Sequence, residues 1–537
     1  MQKADQKTIG ATQAIAEWVS EAKFEYIPER VIYEAKTQIM NIIAAIFAGT
    51  QTESGKIVLE TVDEWGDKDE ATIIPKGKRT TVRNAVYANS VLSMTLDYDD
   101  YVYPVHTGHS AVNVPLALAE KLGRSGKDLL LAQIIATEVE ARVGASIVMG
   151  VQNGQLCSSV HMIGSACAAA KLMGLDAKKM VNAIGIAMYQ PNYGLFAGFM
   201  GSDAKVLTAA ITATTGLEAA FLAAKGLTGT STILEDENGF CENFAFAPVM
   251  SMFSGFGKTW LMDTICYKPY PGCAYVDTLV DCILKLARKN EIDPDIVSEV
   301  NIYANILTYK MDSYSQPFMK GPQSTQATLN FSVPFNAAVA IIDKELTPRQ
   351  LTHQRIQDLR IWDLTEKVHL YLNFPMSLKS LTMTPISTLT IIKEVGIRRL
   401  VPFFKEHLGL SNAKEIFRSF CRLKSFKILS GQRWRRPKIK GEFDLSKVDL
   451  AGYRMPLGTM VEIIMRDGRK FVESEEIPLG AAGYSKEEKR SVVETKFRRE
   501  VGTILGKDKT EKALSIISQI DAADSNQIRE LIKMLCV

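Results

Sequence analysis

Apolar residues return every three to four positions through most of the first 225 residues. Ile15, Trp18 and Val19 mark one such face within 9–22, and Ile32, Ala35, Ile39, Ile42, Ile43 and Ile46 mark a longer one within 31–48. This spacing predicts amphipathic helices. Further helices are predicted over 129–149, 162–173, 178–188 and 207–224, several of them rich in Ala and Gly. Small residues at this frequency permit close helix–helix approach, so the pattern implies a packed helical domain without a sheet. At Met173-Gly-Leu-Asp176 one helix stops and the next is capped within a few residues.

From about Tyr267 the texture changes. Lys268-Pro-Tyr-Pro-Gly-Cys273 is a break, followed by a predicted helix over 276–289 and by 297–306, which alternates as a half-buried strand does. A helix returns over 331–343. Between 460 and 473, Asp467-Gly468 separates two strand-like runs, a strong hairpin signal. These elements predict a second, mixed α/β domain. Beyond Lys486 the pattern is helical again.

A length of 537 residues exceeds what one core usually supports and also implies two domains. The 46% apolar and 23% charged residues are ordinary for a folded chain. No signal-peptide core opens the sequence, and no uninterrupted apolar stretch reaches about 18 residues, so a cytoplasmic protein without a membrane span is expected. The eight cysteines form no CxxC pair and no zinc spacing, which predicts reduced, buried thiols and no metal site. Between Pro375 and Lys440 stand 15 Lys/Arg against 3 Glu, in a chain whose net charge is only +3. The stretch 398–440 is the one hint of nucleic-acid binding, but no known motif accompanies it, and an insertion or diverged stretch covering one domain's surface is expected instead.

Candidate chemistry lies in two places. Asp97-Tyr-Asp99-Asp100-Tyr101-Val-Tyr-Pro-Val-His106-Thr-Gly-His109 gathers three carboxylates, three tyrosines and two of the six histidines. Histidine titrates near neutrality, so an Asp/His loop between helices suits acid–base work; the plainer reading is that Asp99 or Asp100 caps a helix and the histidines are solvated. Lys205, set among small residues before the apolar run 207–224, can stand in a cavity with its ammonium free for an anionic small molecule; the plainer reading is an exposed lysine at a helix start.

With these residues the chain resembles the MmgE/PrpD family, which includes 2-methylcitrate dehydratase, cis-aconitate decarboxylase and iminodisuccinate epimerase. The matching stretches are Leu96–Asp100, Gly164–Asp176, Lys205–Gly226, Lys268–Cys273, Phe331–Phe335 and Val461–Arg469, in family order over about 10–370 and 455–500. The resemblance implies a mostly α fold: a large helical domain from 1–266 and 488–537 with a smaller α/β lid over 267–487, the lid including the basic stretch at about 375–450. It implies a homodimer that needs no cofactor and acts on a small di- or tricarboxylate. It places catalytic roles on Asp97, His106 or His109, and Lys205, and substrate contacts on Tyr101, Gln155, Cys273 and Tyr309. Gln155 stands where the family carries a second active-site histidine and cannot transfer protons; His161 is six residues on. Asn330 stands where a basic residue is usual. The expected reaction is dehydration or decarboxylation through an enediolate-type intermediate, the alternatives being epimerisation of a dicarboxylate by proton transfer or carboxylate binding without turnover.

Overall fold

The computed structural model describes residues 10–66, 68–150, 158–380, 383–386, 388–396, 398–403, 405 and 444–537. Gln155 and most of the basic stretch lie outside the described residues.

The predicted helices are present close to their expected bounds: Ala11–Glu21, Glu29–Gly49, Gly126–Ser146, Val160–Leu172, Ala177–Met188 and Thr208–Ala224. Their apolar faces merge into one large core that includes Ile15, Val31, Ile39, Ile42, Ile43 and Ile46. The small residues have the anticipated use. A Cβ on Gly216 would lie 2.1 Å from the Met162 carbonyl oxygen, so Thr208–Ala224 and Val160–Leu172 touch backbone to backbone there. Glu29–Gly49 and Asp203–Ala224 are long and apolar enough to cross a membrane by length and composition, yet 94% and 61% of their apolar windows are buried in protein.

Two short antiparallel strand pairs accompany these helices: β1 (Ala71–Ile73) with β2 (Lys78–Thr80), and β3 (Asp100–Tyr101) with β4 (Cys266–Tyr267). The second pair matters for function. It makes the Asp/His segment a strand-anchored loop rather than a plain helix–loop–helix, and it ties that loop to residues more than 160 positions away. Two-residue strands carry no readable alternation, which is why the sequence shows only the flanking helices.

The second core is built around a four-stranded sheet ordered β6–β5–β7–β8: β5 (Val297–Ala304), β6 (Val368–Leu372), β7 (Thr459–Met465) and β8 (Lys470–Glu475). β5 runs parallel to β6 and antiparallel to β7, and the β7–β8 hairpin turns through Gly468 at φ +89°. Residues of β7 alternate between buried and half-buried, as its period predicts. The helices Asp277–Lys289 and Val333–Asp343 cover the sheet and share this core.

After β8 the chain returns to the first core. The helix Lys486–Leu505 opens on a capping box, Ser485 with Glu488, and lies along Glu29–Gly49. Its Lys489 is buried against Glu34 at 2.6 Å, and the Tyr267 hydroxyl donates to the same carboxylate. The six described cysteines are free thiols.

Candidate active site

The helix Val82–Met94 ends at Thr95, and the chain then turns through Asp97 at φ +50°. Aspartate tolerates this left-handed region better than most residues. The loop is held to 266–272 by backbone bonds: Lys268 N–H donates to Asp99 O, and Gly272 N–H to Leu96 O. Asp97 and Asp99 flank Tyr98 in this turn, and both carboxylates reach the Lys268 ammonium.

They meet two buried ammonium groups. Lys205 Nζ donates to Asp97 Oδ2 at 2.8 Å. Lys268 Nζ donates to the other Asp97 oxygen at 3.0 Å, to the Asp97 carbonyl at 2.8 Å and to Asp99 Oδ1 at 2.7 Å. All four side chains are buried. Lys205 is therefore not a free cation in a cavity, nor an exposed lysine. It is an ion-paired ammonium walled by aromatic rings, with Phe331 at 4.4 Å and Phe199 at 5.2 Å from its nitrogen.

The remaining oxygen of Asp99 faces both loop histidines. His106 Nδ1 lies 2.7 Å from Oδ2 and His109 Nε2 lies 2.9 Å from it, the latter too bent for a full hydrogen bond. His109 is fully buried, with Nδ1 on Ser93 Oγ, whereas the His106 side chain keeps 25% of its surface. Neither Asp99 nor Asp100 caps a helix. Asp100 accepts from Gln38 and Thr107 instead, and a Cβ at Gly108 would strike its Oδ1 at 2.1 Å, so glycine is required between Thr107 and His109.

Burial alone would raise both Asp97 and Asp99. The Lys205 and Lys268 ammoniums outweigh it for Asp97, and His106, Lys268 and His109 for Asp99, leaving both well below the usual carboxylate range. Asp100 goes the other way, to about 6, through burial and the neighbouring Asp99 charge. Burial lifts the Cys273 thiol to about 12, and Asp97 adds to the shift. Behind the loop, Lys496 donates to Asn41 Oδ1 at 2.8 Å and to the Tyr98 carbonyl, and its nitrogen stands 3.6 Å from the Tyr98 ring centroid. Burial lowers it to about 7.

Of the residues singled out by sequence, Asp97, His106, His109 and Lys205 come together through Asp99 and Lys268. Cys273 joins the hydrophobic cluster of Met200 and Phe331 beside Lys205. The Tyr101 ring lies 6.2 Å from that of His106, with its buried hydroxyl beside the Cys266 thiol. Tyr309 sits 36% exposed on the helix Ile306–Ser315, and no described contact joins it to the cluster. His161 bonds Ser110 at 2.7 Å and Glu140 at 3.2 Å, one histidine ring away from the site. Lys268 and Lys496 are not given a role by the sequence, and Asp99 only that of a loop carboxylate or helix cap. The first carried a signal, a single cation inside the apolar Ile265-Cys-Tyr-Lys-Pro run.

Asp99, His106 and His109 place three possible metal-ligand atoms within 4.8 Å of one another. Lys268 on the same carboxylate opposes a second cation there, so this donor set suits an imidazole pair better than a metal.

Comparison with known sequences shows the family. The MmgE/PrpD N-terminal domain matches residues 13–250 and the MmgE/PrpD C-terminal domain matches 270–396. The chain belongs to the MmgE/PrpD family. Among curated relatives it is similar to the cis-aconitate decarboxylase of Aspergillus terreus (strain NIH 2624 / FGSC A1156), 26% identical over 67% of this chain and 78% of that protein. The human cis-aconitate decarboxylase is 29% identical over 48% of this chain and 56% of that protein, and the mouse enzyme 26% identical over 67% and 75%. Within the MmgE/PrpD frame, the Asp97–His109 loop and Lys205 lie in the N-terminal match and Cys273, Tyr309 and Asn330 in the C-terminal one. Lys268 falls between the two matches, and Lys496 beyond both.

Proposed function

We propose that the chain is a cofactor-independent lyase acting on a small di- or tricarboxylate, by decarboxylation or dehydration through an enediolate-type intermediate. The observation that carries this reading is the buried Lys205–Asp97–Lys268–Asp99 chain ending on the partly accessible His106. The decarboxylase relatives lend it support. Both reactions build negative charge on a carboxylate. Fixed ammonium groups in a dry enclosure stabilise such charge as it forms, without reorganising. Asp97, shared by the two lysines, holds them apart at a set spacing.

In decarboxylation the bond to the departing carboxylate breaks, and its electron pair enters the remaining conjugated carboxylate. A proton returned to carbon then completes the product as carbon dioxide leaves. In dehydration a base removes the α proton first, and the hydroxyl departs as water once protonated. His106, the partly accessible member of the imidazole pair, takes the proton-transfer role; Asp99 orients it, and buried His109 braces Asp99.

The test is a mass-spectrometric screen of di- and tricarboxylates with wild type and Lys205→Ala. Loss of one charge-stabilising group should lower turnover by about a hundredfold or more. Activity retained within about threefold would remove Lys205 from the chemistry. Uptake of solvent deuterium without release of water or carbon dioxide would make the protein an isomerase. Thermal stabilisation by the acids without any change in them would make it a binding protein.

A further inference from the structure

Asn330 is 1% exposed, yet neither its Nδ2 nor its Oδ1 has a hydrogen-bond partner among the described residues. Buried side-chain amides are nearly always bonded, so a donor and an acceptor left open together point to a ligand. The segment around it belongs to the site. The Asn330 carbonyl accepts from Cys273 N–H at 3.0 Å, and a Cβ on Gly272 would come within 3.2 Å of that oxygen. The next residue, Phe331, puts its ring 4.4 Å from Lys205 Nζ. Thr328 Oγ1 donates to the Met200 carbonyl, and Ser332 caps the helix that follows. Asn330 is thus fixed on both sides, between the Lys205 enclosure and Cys273.

We infer that Asn330 determines specificity: it selects a dicarboxylate whose third arm is a carboxamide or hydroxyl over a tricarboxylate. The inference rests on the carboxylate reading of the site and extends it. A carboxylate only accepts hydrogen bonds. Against Asn330 it could use the Nδ2 hydrogens, but it would leave Oδ1 unmet and set a negative group beside it. A buried acceptor left without a partner weakens binding by roughly five- to a hundredfold. A carboxamide or hydroxyl both donates and accepts, and satisfies the two ends whichever way the amide is turned. Among the described residues, no ion pair or hydrogen bond brings a cation to the Asn330 amide, so a carboxylate there would meet an uncharged group.

The experiment is titration calorimetry on the full chain with glutarate, propane-1,2,3-tricarboxylate and the two monoamides of that triacid. One monoamide should bind the wild type about tenfold or more tighter than the triacid. Asn330→Lys should reverse that order, and Asn330→Asp, which keeps the shape, should weaken the triacid further while retaining the amide. A triacid bound as tightly as either monoamide by wild type overturns the inference, and so does a ratio unmoved in both variants. The wild-type comparison stands even where a variant fails to fold. Glutarate binding that depends on Lys205, without amide preference, would end the Asn330 assignment alone. No binding by any of the four acids would end the polycarboxylate reading and this one with it.

Discussion

On the helical side of the site, Asp97 lies between Lys205 and Lys268, and Asp99 between Lys268 and two imidazoles. On the lid side, Asn330 and Asp277 are buried as deeply, and neither side chain has a hydrogen-bond partner among the described residues. Asp277 is within electrostatic reach of Lys268 and Asp97, and burial pushes its carboxyl well above the usual range, with Asp281 adding to the shift. The paired wall is self-sufficient: its charges are held in place before any substrate arrives, which is what electrostatic catalysis needs. The open wall costs stability, about 1–3 kcal/mol for each unmet group. Buried polar groups left unmet break a local rule, as functional sites often do.

The strongest way to break this contrast is Lys268→Met. It strips the shared ammonium from two buried aspartates, and urea denaturation should show a loss of about 3–5 kcal/mol. A loss under about 1 kcal/mol, typical of exposed pairs, would mean that the helical wall is not a mutual network.

The two walls should also respond to pH with opposite signs. Asp97 and Asp99 are held low, so their contribution is present above about pH 4 and is lost only as pH falls through their lowered values. Asp277 is held high, so its contribution is complete below about pH 4 and is lost as pH rises through its raised value. Asp277→Asn, neutral at every pH, should therefore gain stability over wild type at pH 8 more than at pH 4. A difference independent of pH would show Asp277 to be paired in solution. The smallest effect belongs to Tyr309→Phe. Stability should move by less than about 0.5 kcal/mol. Turnover should stay within about twofold, since one hydroxyl lost from a group outside the site removes no transition-state contact. A tenfold fall in turnover would bring Tyr309 into the site.

Much of this was legible in the chain. The helices followed from the return of Ile32, Ile39, Ile42 and Ile46, and the β7–β8 hairpin from Asp467-Gly468. The Asp97–His106–Lys205 cluster followed from composition and from the family resemblance. The unread parts share a physical cause. β3 and β4 are held by two residues each, too few for a period. Lys489 and Lys496 lie on a helix dense in Lys, Arg and Glu, which reads as a solvated face; only their distant partners Glu34, Asn41 and Tyr98 explain why they are buried. In sequence Asn330 stands where a basic residue is usual, and the structure makes it an amide open at both ends among the described residues.

The helix Lys486–Leu505 follows the whole lid in sequence, yet its Lys496 is tied to the carbonyl of Tyr98, between the two key aspartates. The loop that carries those aspartates gains this last brace only once the ribosome has made everything through this helix. The lid is synthesised in between and can form its own sheet first. A chain interrupted after the lid would hold a nearly whole helical shell and a finished cap around an unbraced centre.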